Sequence, residues 1–543
     1  MVCKGISLNR LPEYSASRLV RFILLALGGA LTAVTVAFPR FGVAEWVTLI
    51  PAAVAIWSII SDPSIKLRRA YGYGFFFFMC YYFVIYHWFV SLYPLEFTGI
   101  SRGAALGVVL AGWFGVPILQ STVGGLVFVA LALLGRNGLV RRAPLLVPAL
   151  AGGLWGIFEW SQTFFWTGVP WGRLGIGQSD ILLMLRPSAF FGSYFVTFMI
   201  VAVNFTLALC LIERRKIKLY SVCAVGLLVC HLILDVVSTL IYAPSTDDGF
   251  VAAAIQGNIS SSEKWDMSPD DILDVYEQLS LDAAEQGAEL IVWPETAIPI
   301  DMANNPMRIE RIQGIAQSAN CDILVGIFTN DQDGREYNSM VLFKKDGSIG
   351  EQTYNKRHLV PFGEYVPMRK VVETLFPPLA ELGMFGEDLV AGEDPGLIEW
   401  NGIDLGALIC FDSIYESATL DSVQGGADLL ILPTNESWFL DSAAIYMHTA
   451  QAVMRSVESG RYMVRAASTG VSCIITPSGQ VVDELDALKT GVVIGEVYPQ
   501  STRTLYSHIG NAWIYLMMAF VVSVGVVGKI KTKKLKKLYR QCG

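Results

Sequence analysis

Charge is what this 543-residue chain has least of: Asp, Glu, Lys and Arg together make 16% of it, against 53% hydrophobic residues. With a mean hydropathy of +0.47, it is too apolar for an ordinary soluble protein of that length and reads as a membrane protein. Cysteine is no framework here. The nine cysteines are scattered, with no CxxC pair and no Cys/His cluster at metal-ligand spacing, so neither a set of disulfides nor a zinc site is expected. No cofactor motif is read either. Nor does the N-terminus read as a cleaved signal peptide, since the apolar segment after Arg21 runs on to about Phe38 without a clear small-residue cleavage site. The net charge of -8 points to no nucleic-acid partner, because bases cluster in short loops of the apolar part and acids between about Thr246 and Tyr498.

What is present in abundance is long apolar runs. A spanning helix needs about 20 such residues. Seven segments qualify before Asp247, at approximately 20–38, 43–60, 71–93, 104–134, 145–166, 187–212 and 219–242, and one more at about 508–527. This divides the chain into residues 1–246 with seven membrane helices, a polar part at 247–500, and a last helix with a basic tail at 501–543. Ionisable residues within the spans are few, Glu159, His231 and Asp235 being exceptions, which fits transport poorly.

Short loops rich in Lys and Arg stay in the cytoplasm. Such residues gather at Lys4 to Arg21, at Lys66, Arg68 and Arg69, at Arg136, Arg141 and Arg142, at Arg214 to Lys218, and in the tail KIKTKKLKKLYR. Eight spans with both termini inside put the polar part outside the cytoplasm.

That polar part alternates strand-like runs, among them VAAAIQGNI, AELIVWPE, DILVGIF, LGALICFD and ADLLILP, with helical stretches at Asp270 to Gln286, Met307 to Ala319 and Tyr446 to Ser459. Strands alternating with helices imply a layered α/β domain, and continuous apolar runs imply strands buried on both faces. The expected fold is therefore an α-helical membrane bundle plus an α/β domain.

Three of the runs lead to reactive residues: LIVWPET to Glu295, TYNKRHLVPFGEY to Lys356 and Glu364, and LGALICFDS to Cys410. Each alone has a plainer reading. A lone Cys in an apolar run is usually small buried filler, a Glu after WP a surface acid, a Lys in NKRH a solvated turn. Together they offer a thiol nucleophile, a carboxylate base and a cation for an oxyanion, joined by the backbone N–H of Phe411.

The ordered set WPE, NKRHLVPFGEYVP and the strand ending in Cys410 resembles the nitrilase (carbon–nitrogen hydrolase) superfamily. With IQGNI and Trp265 in SSEKWD, LPTNESWF, MRSVESGRYMVRAASTG and the upstream FFWTGVPWGRLGIGQSD, the chain is similar, end to end, to its apolipoprotein N-acyltransferase branch. The resemblance implies an αββα sandwich carried between the seventh and eighth membrane helices, with Cys410 as nucleophile, Glu295 as general base and Lys356 as oxyanion stabiliser. It also implies Glu364 as a second glutamate beside Lys356 and Trp265 as an aromatic of a lid. The chain departs from the family's Cys-Tyr-Glu in having Cys410, Phe411 and Asp412, and from NDAWF in the NESWF of Asn435 to Phe439, so substrate-positioning roles of Phe411, Asp412 and Asn435 stay open.

The implied reaction is a two-step acyl transfer at the bacterial inner membrane, from a phospholipid donor to a diacylated apolipoprotein acceptor, by a monomer without metal or cofactor. An apolar route to Cys410 is expected from Trp265, the Leu375 to Phe385 stretch and the aromatic outer loops. Two alternatives remain at this point: a membrane-tethered nitrilase-type amidase, and a paralogue with another acceptor.

Overall fold

The structure, a computed structural model, describes residues 16–95, 100–165, 168–375 and 388–542; the side chains of Ser261, Ser262, Trp265, Leu375 and 532–542 lie outside the description. The chain forms two compact units. One comprises residues 16–87, 113–165, 168–237 and 509–542, and the other residues 88–95, 100–112, 238–375 and 388–508.

Six of the seven expected N-terminal spans are helices long and apolar enough to cross a bilayer: Arg18–Ala37, Pro39–Ser61, Leu67–Leu92, Arg102–Gly135, Ser193–Ile212 and Arg214–Ile241; the C-terminal span is Ala512–Lys531. The remaining one, the fifth, expected at 145–166, is an apolar helix of 16 residues, Leu146–Ser161, about 24 Å long at 1.5 Å per residue. It stops short because the chain turns to feed a buried acid. Glu159 accepts from Trp155 Nε1 at 3.2 Å, Leu174 N at 2.8 Å and Thr197 Oγ1 at 2.6 Å. The VPWGRLGIGQ segment is likewise folded into its unit, with Gln178 accepting from Trp46 Nε1 and donating to the Gly42 carbonyl, both at 3.0 Å. His231 and Asp235 also have partners, the Met184 carbonyl at 2.8 Å and Arg186 at 3.7 Å.

The second unit contains twelve strands among the described residues: β1 Phe250–Gln256, β2 Leu290–Val292, β3 Asp322–Asn330, β4 Glu336–Phe343, β5 Ile349–Asn355, β6 Leu397–Trp400, β7 Ile403–Ala407, β8 Leu429–Thr434, β9 Met463–Ala467, β10 Ser472–Ile475, β11 Val481–Leu485 and β12 Gly491–Val497. They make two six-stranded sheets, ordered β12-β1-β2-β3-β4-β5 and β11-β10-β9-β8-β7-β6. Each is built on three parallel strands, β1-β2-β3 and β7-β8-β9, extended by antiparallel neighbours.

Strand alternation makes the layers. Ala252, Ala254, Leu290, Val292 and Leu324 face Leu405, Ala407, Leu429, Ile431 and Val464 in the core between the sheets. The odd partners Ala253, Ile255, Ile291, Ile323 and Val325 turn outward onto helices Pro269–Glu285 and Pro306–Ala319, which present Ile272, Tyr276, Ile312 and Ile315. Ser268 caps the first helix by accepting from Asp270 N, with Pro269 at its first position. Helices Glu416–Gly425 and Ala443–Ser459 pack outside the second sheet, completing an αββα sandwich.

Candidate active site

Glu295 and Cys410 emerge where parallel strands end, and Lys356 where an antiparallel edge strand does. β2 runs into Trp293, whose indole is fully buried against the Tyr276 ring and donates to Ser280 Oγ at 2.9 Å. Backbone bonds from Trp293 N to Leu324 O and from Ala297 N to Gly326 O pin the WPE turn to β3. Only glycine fits at Gly326, where a Cβ would stand 2.3 Å from the Pro294 carbonyl oxygen. Lys356 follows β5, its N–H held by the Asn338 carbonyl at 2.8 Å. Glu364 sits in a tight loop where its Oε2 accepts from Val360 N at 2.8 Å. Cys410 follows β7 and heads a short 3-10 turn, Cys410–Ile414, with its own φ at 46°.

These groups converge. Lys356 Nζ lies 2.7 Å from Glu295 Oε1 and 2.9 Å from Glu364 Oε2, and Asn338 Nδ2 donates to that same Glu295 oxygen and to the other oxygen of Glu364. Glu295 Oε2 accepts from Asn435 N at 2.8 Å, so Asn435 joins the site through its backbone. Burial pulls the Lys356 ammonium down, but the two carboxylates override it and hold the group above its ordinary value. Burial raises the Glu364 carboxyl; Lys356 opposes that rise and Glu295 adds to it. Cys410, 8% exposed, has its thiol pushed well up by burial and then by the Glu295 charge, with Lys356 pulling the other way. Those couplings place Cys410 in the field of both Glu295 and Lys356.

Asp412 does not face this cluster. It is fully buried, accepting from Tyr354 OH at 2.7 Å, His358 N at 2.8 Å and Ile409 N at 3.0 Å, with His358 Nδ1 at 2.9 Å. It thus ties the chain after Lys356 to the turn after Cys410. Although burial acts to raise it, these partners hold its carboxyl below the ordinary value. Phe411 sets its ring edge against Tyr415, which stacks on His358 at 4.1 Å. Trp265 belongs to helix Ser261–Asp266, its side chain outside the described residues, as is the structure of 376–387 in the expected apolar route. Among the aromatic residues of the expected route, Trp88 meets Phe439 of NESWF edge-on at 5.0 Å.

Sequence reading missed Asn338 and Lys264. Asn338 is a polar residue in a buried strand, which is the signal that marks it. Lys264 is 3% exposed and donates to the Thr296 carbonyl at 2.7 Å, one residue beyond Glu295; its place in the short polar helix SSEKWD hid it.

Residues 251–506 match the family described as carbon-nitrogen hydrolase, and residues 28–206 the apolipoprotein N-acyltransferase N-terminal domain. An apolipoprotein N-acyltransferase of Methylococcus capsulatus is 30% identical over 533 residues, covering 94% of this chain and 95% of its own. The chain belongs to the apolipoprotein N-acyltransferase family. Members from Geobacter metallireducens (29% identity, 95% of this chain, 96% of theirs) and Allorhizobium ampelinum (32%, 78% and 79%) are similar over most of their length. An amidase from Nesterenkonia sp. AN1 aligns with TM-score 0.38 at 19% identity, over 49% of this chain and 98% of its own. Against the N-acyltransferase pattern read in the sequence, the Phe411-Asp412 pair has a structural setting of its own: the shorter acid is completed by Tyr354 and His358.

Proposed function

We propose that the protein is an apolipoprotein N-acyltransferase that carries a fatty acyl chain from a membrane phospholipid, through a thioester on Cys410, to the N-terminal amine of a diacylglyceryl-cysteine lipoprotein. The observation that carries this reading is family membership extending over both the apolar helices and the sandwich domain.

The chemistry follows from the site. A thiol raised by burial rests protonated, so attack needs a base at hand rather than a standing thiolate. Glu295 takes the thiol proton as Sγ adds to the ester carbonyl of the phospholipid. Lys356 and the Phe411 N–H face the oxyanion that forms. Collapse expels the lysophospholipid alkoxide, which recovers the proton from Glu295 and leaves the acyl group on sulfur. The neutral α-amine of the acceptor, whose ordinary pKa is about 8, then adds to the thioester. Glu295 receives its proton, an amide forms and the thiol is restored. Glu364 orients Lys356 in both halves, and Trp265 covers the site as a lid.

The protein works as a monomer in the bacterial cytoplasmic membrane with both termini in the cytoplasm and the sandwich outside it. The Lys/Arg-rich loops support that orientation.

Mass spectrometry of protein purified from membranes tests the first half-reaction. The expected result is a fatty-acyl thioester on the Cys410 peptide, released by neutral hydroxylamine and absent from Cys410→Ala. Adding a diacylated lipopeptide should yield the N-acyl amide. A thioester that gives only free fatty acid overturns the transferase reading in favour of a hydrolase.

A further inference from the structure

Behind the Cys410 turn lies a charged cluster that the acyl transfer just described leaves unused. Glu436 after β8, His448 on helix Ala443–Ser459 and Arg465 in β9 are each at most 1% exposed. Arg465 donates to Glu436 Oε1 at 2.6 Å, and His448 Nδ1 stands 2.7 Å from that oxygen. A Cβ on Gly470 would come 1.8 Å from the other carboxylate oxygen, so the acid is lodged against bare backbone. Across the ring, His448 Nε2 lies 3.1 Å from the Cys410 carbonyl oxygen and 3.0 Å from Ser413 Oγ.

The proton count on that ring follows from its partners. A carbonyl only accepts. The Ser413 hydroxyl donates to the same carbonyl at 2.8 Å, so toward Nε2 it offers a lone pair. Nδ1 faces a carboxylate. Burial acts to raise Glu436, but Arg465 and His448 hold it below its ordinary value, and the acid in turn holds the Arg465 guanidinium above its own against burial. With the Ser413 proton on that carbonyl, both ring nitrogens face acceptors, and the imidazolium supplies a proton to each. Arg465 also passes 3.4 Å from Nδ1, but a neutral ring accepting there would turn its lone pair onto the carboxylate at 2.7 Å. The remaining charged groups nearby are spoken for: Asp412 of the turn is bound to His358, and Glu416 of the adjoining helix lies 3.9 Å from Arg455, which pairs with Glu458.

The gripped atom matters because Cys410 has φ 46°, a left-handed conformation that a residue with a Cβ resists. Two donors on its carbonyl hold the peptide in that orientation. We infer that His448 is a positioning residue, kept as an imidazolium between Glu436 and the Cys410 carbonyl, that fixes the left-handed turn presenting the thiol. The inference rests on Cys410 being the nucleophile.

The test labels the imidazole nitrogens of the five histidines in the full-length protein in detergent and records nitrogen NMR spectra. One ring should carry a proton on both nitrogens under the conditions in which thioester formation is measured, and its signal should vanish in His448→Gln. A wild-type spectrum with no doubly protonated ring under those conditions overturns the inference, whether or not any variant folds. In parallel, His448→Leu should lower kcat for thioester formation about 10²-fold, as for a misplaced reacting group, with the phospholipid KM within about twofold. His448→Gln keeps a donor for the carbonyl and should recover about tenfold of that loss. A folded His448→Leu protein with wild-type kcat overturns the positioning role. Absence of any thioester in the wild-type protein would instead sink the proposed function, and the spectrum would still decide the charge on the ring.

Discussion

A single amide nitrogen, Nδ2 of Asn338, donates to Glu295 Oε1 at 2.8 Å and to Glu364 Oε1 at 2.7 Å, while Lys356 Nζ bridges the same two acids at 2.7 and 2.9 Å. The two carboxylates are therefore clamped twice, once by a cation and once by a neutral amide. With Asn435 N on the remaining Glu295 oxygen, the acid's direction is set from three sides. A base so fixed has little reorganisation to undergo when it takes a proton.

Asn338→Ala removes that second clamp from both acids. A hydrogen bond to a charged group is worth about 1.5–3 kcal/mol, so kcat/KM for thioester formation should fall roughly 10–100-fold. Asn338→Asp should do worse, because it sets a third carboxylate against two. Single-turnover labelling with a fluorescent phospholipid measures both. An aspartate variant more active than the alanine one would show that the amide's donors are not what matters.

Asp412 separates two ways of reading the CFD turn. If its role is to bind the Lys356 chain to the Cys410 turn, Asp412→Asn must set an NH2 against a donor, Tyr354 OH or the His358 edge. One such buried mismatch costs about 1–3 kcal/mol. The expected outcome is a lower melting temperature together with a 10–100-fold slower thioester step. Tyr354→Phe, which removes one donor without adding a clash, should be milder in both readouts. A normal melting temperature with lost activity would point to direct contact with substrate instead.

How much of this was legible in the sequence depends on the range of the interactions. β1, β2 and β7 announce themselves as apolar runs because both their faces are buried; WPE and ICFD mark the ends of β2 and β7, and NKRH that of β5. Helix Leu146–Ser161 stops early for a reason that no hydropathy window contains, since the acid ending it is satisfied by Leu174 and Thr197, which lie 15 and 38 positions away. The Glu295–Lys356 pair joins residues 61 apart, and Asp412 meets His358 across 54. Such partners are set by sheet order. Lys264 and His448 carry no local pattern at all: one sits on a short polar helix and the other on an amphipathic one, where composition predicts solvent or core, and only the packing of the sandwich brings them against Thr296 and Cys410.

Lys264 gives a pH dependence with a definite sign. Burial pulls its ammonium from the ordinary 10.5 down to about 8, with the Glu295 charge opposing the drop. Between those values the folded protein has lost this proton and the unfolded chain still holds it, so stability rises with pH across the window. The full effect is at most about 3 kcal/mol for one buried group. Lys264→Met removes the titration and should flatten the stability-versus-pH curve between about pH 8 and 10.5 by up to one proton. Chemical denaturation in detergent at a series of pH values measures the slope. A variant slope equal to that of the wild type would mean that Lys264 does not change its protonation on unfolding.

Cys410 itself sets function against stability. At φ 46° a residue with a Cβ is strained by about 1–3 kcal/mol, and glycine is not. Cys410→Ala and Cys410→Gly both lack the thiol, so both should form no thioester. Their stabilities should differ. Glycine relieves the backbone but loses more entropy on folding, about 0.5–1 kcal/mol, which leaves Cys410→Gly ahead of Cys410→Ala by about 1 kcal/mol. The inactive glycine protein should therefore unfold at the higher denaturant concentration of the two, measured side by side in the same detergent. If the alanine variant is the more stable, the left-handed turn carries no strain, and the grip of Ser413 and His448 on its carbonyl has nothing to oppose.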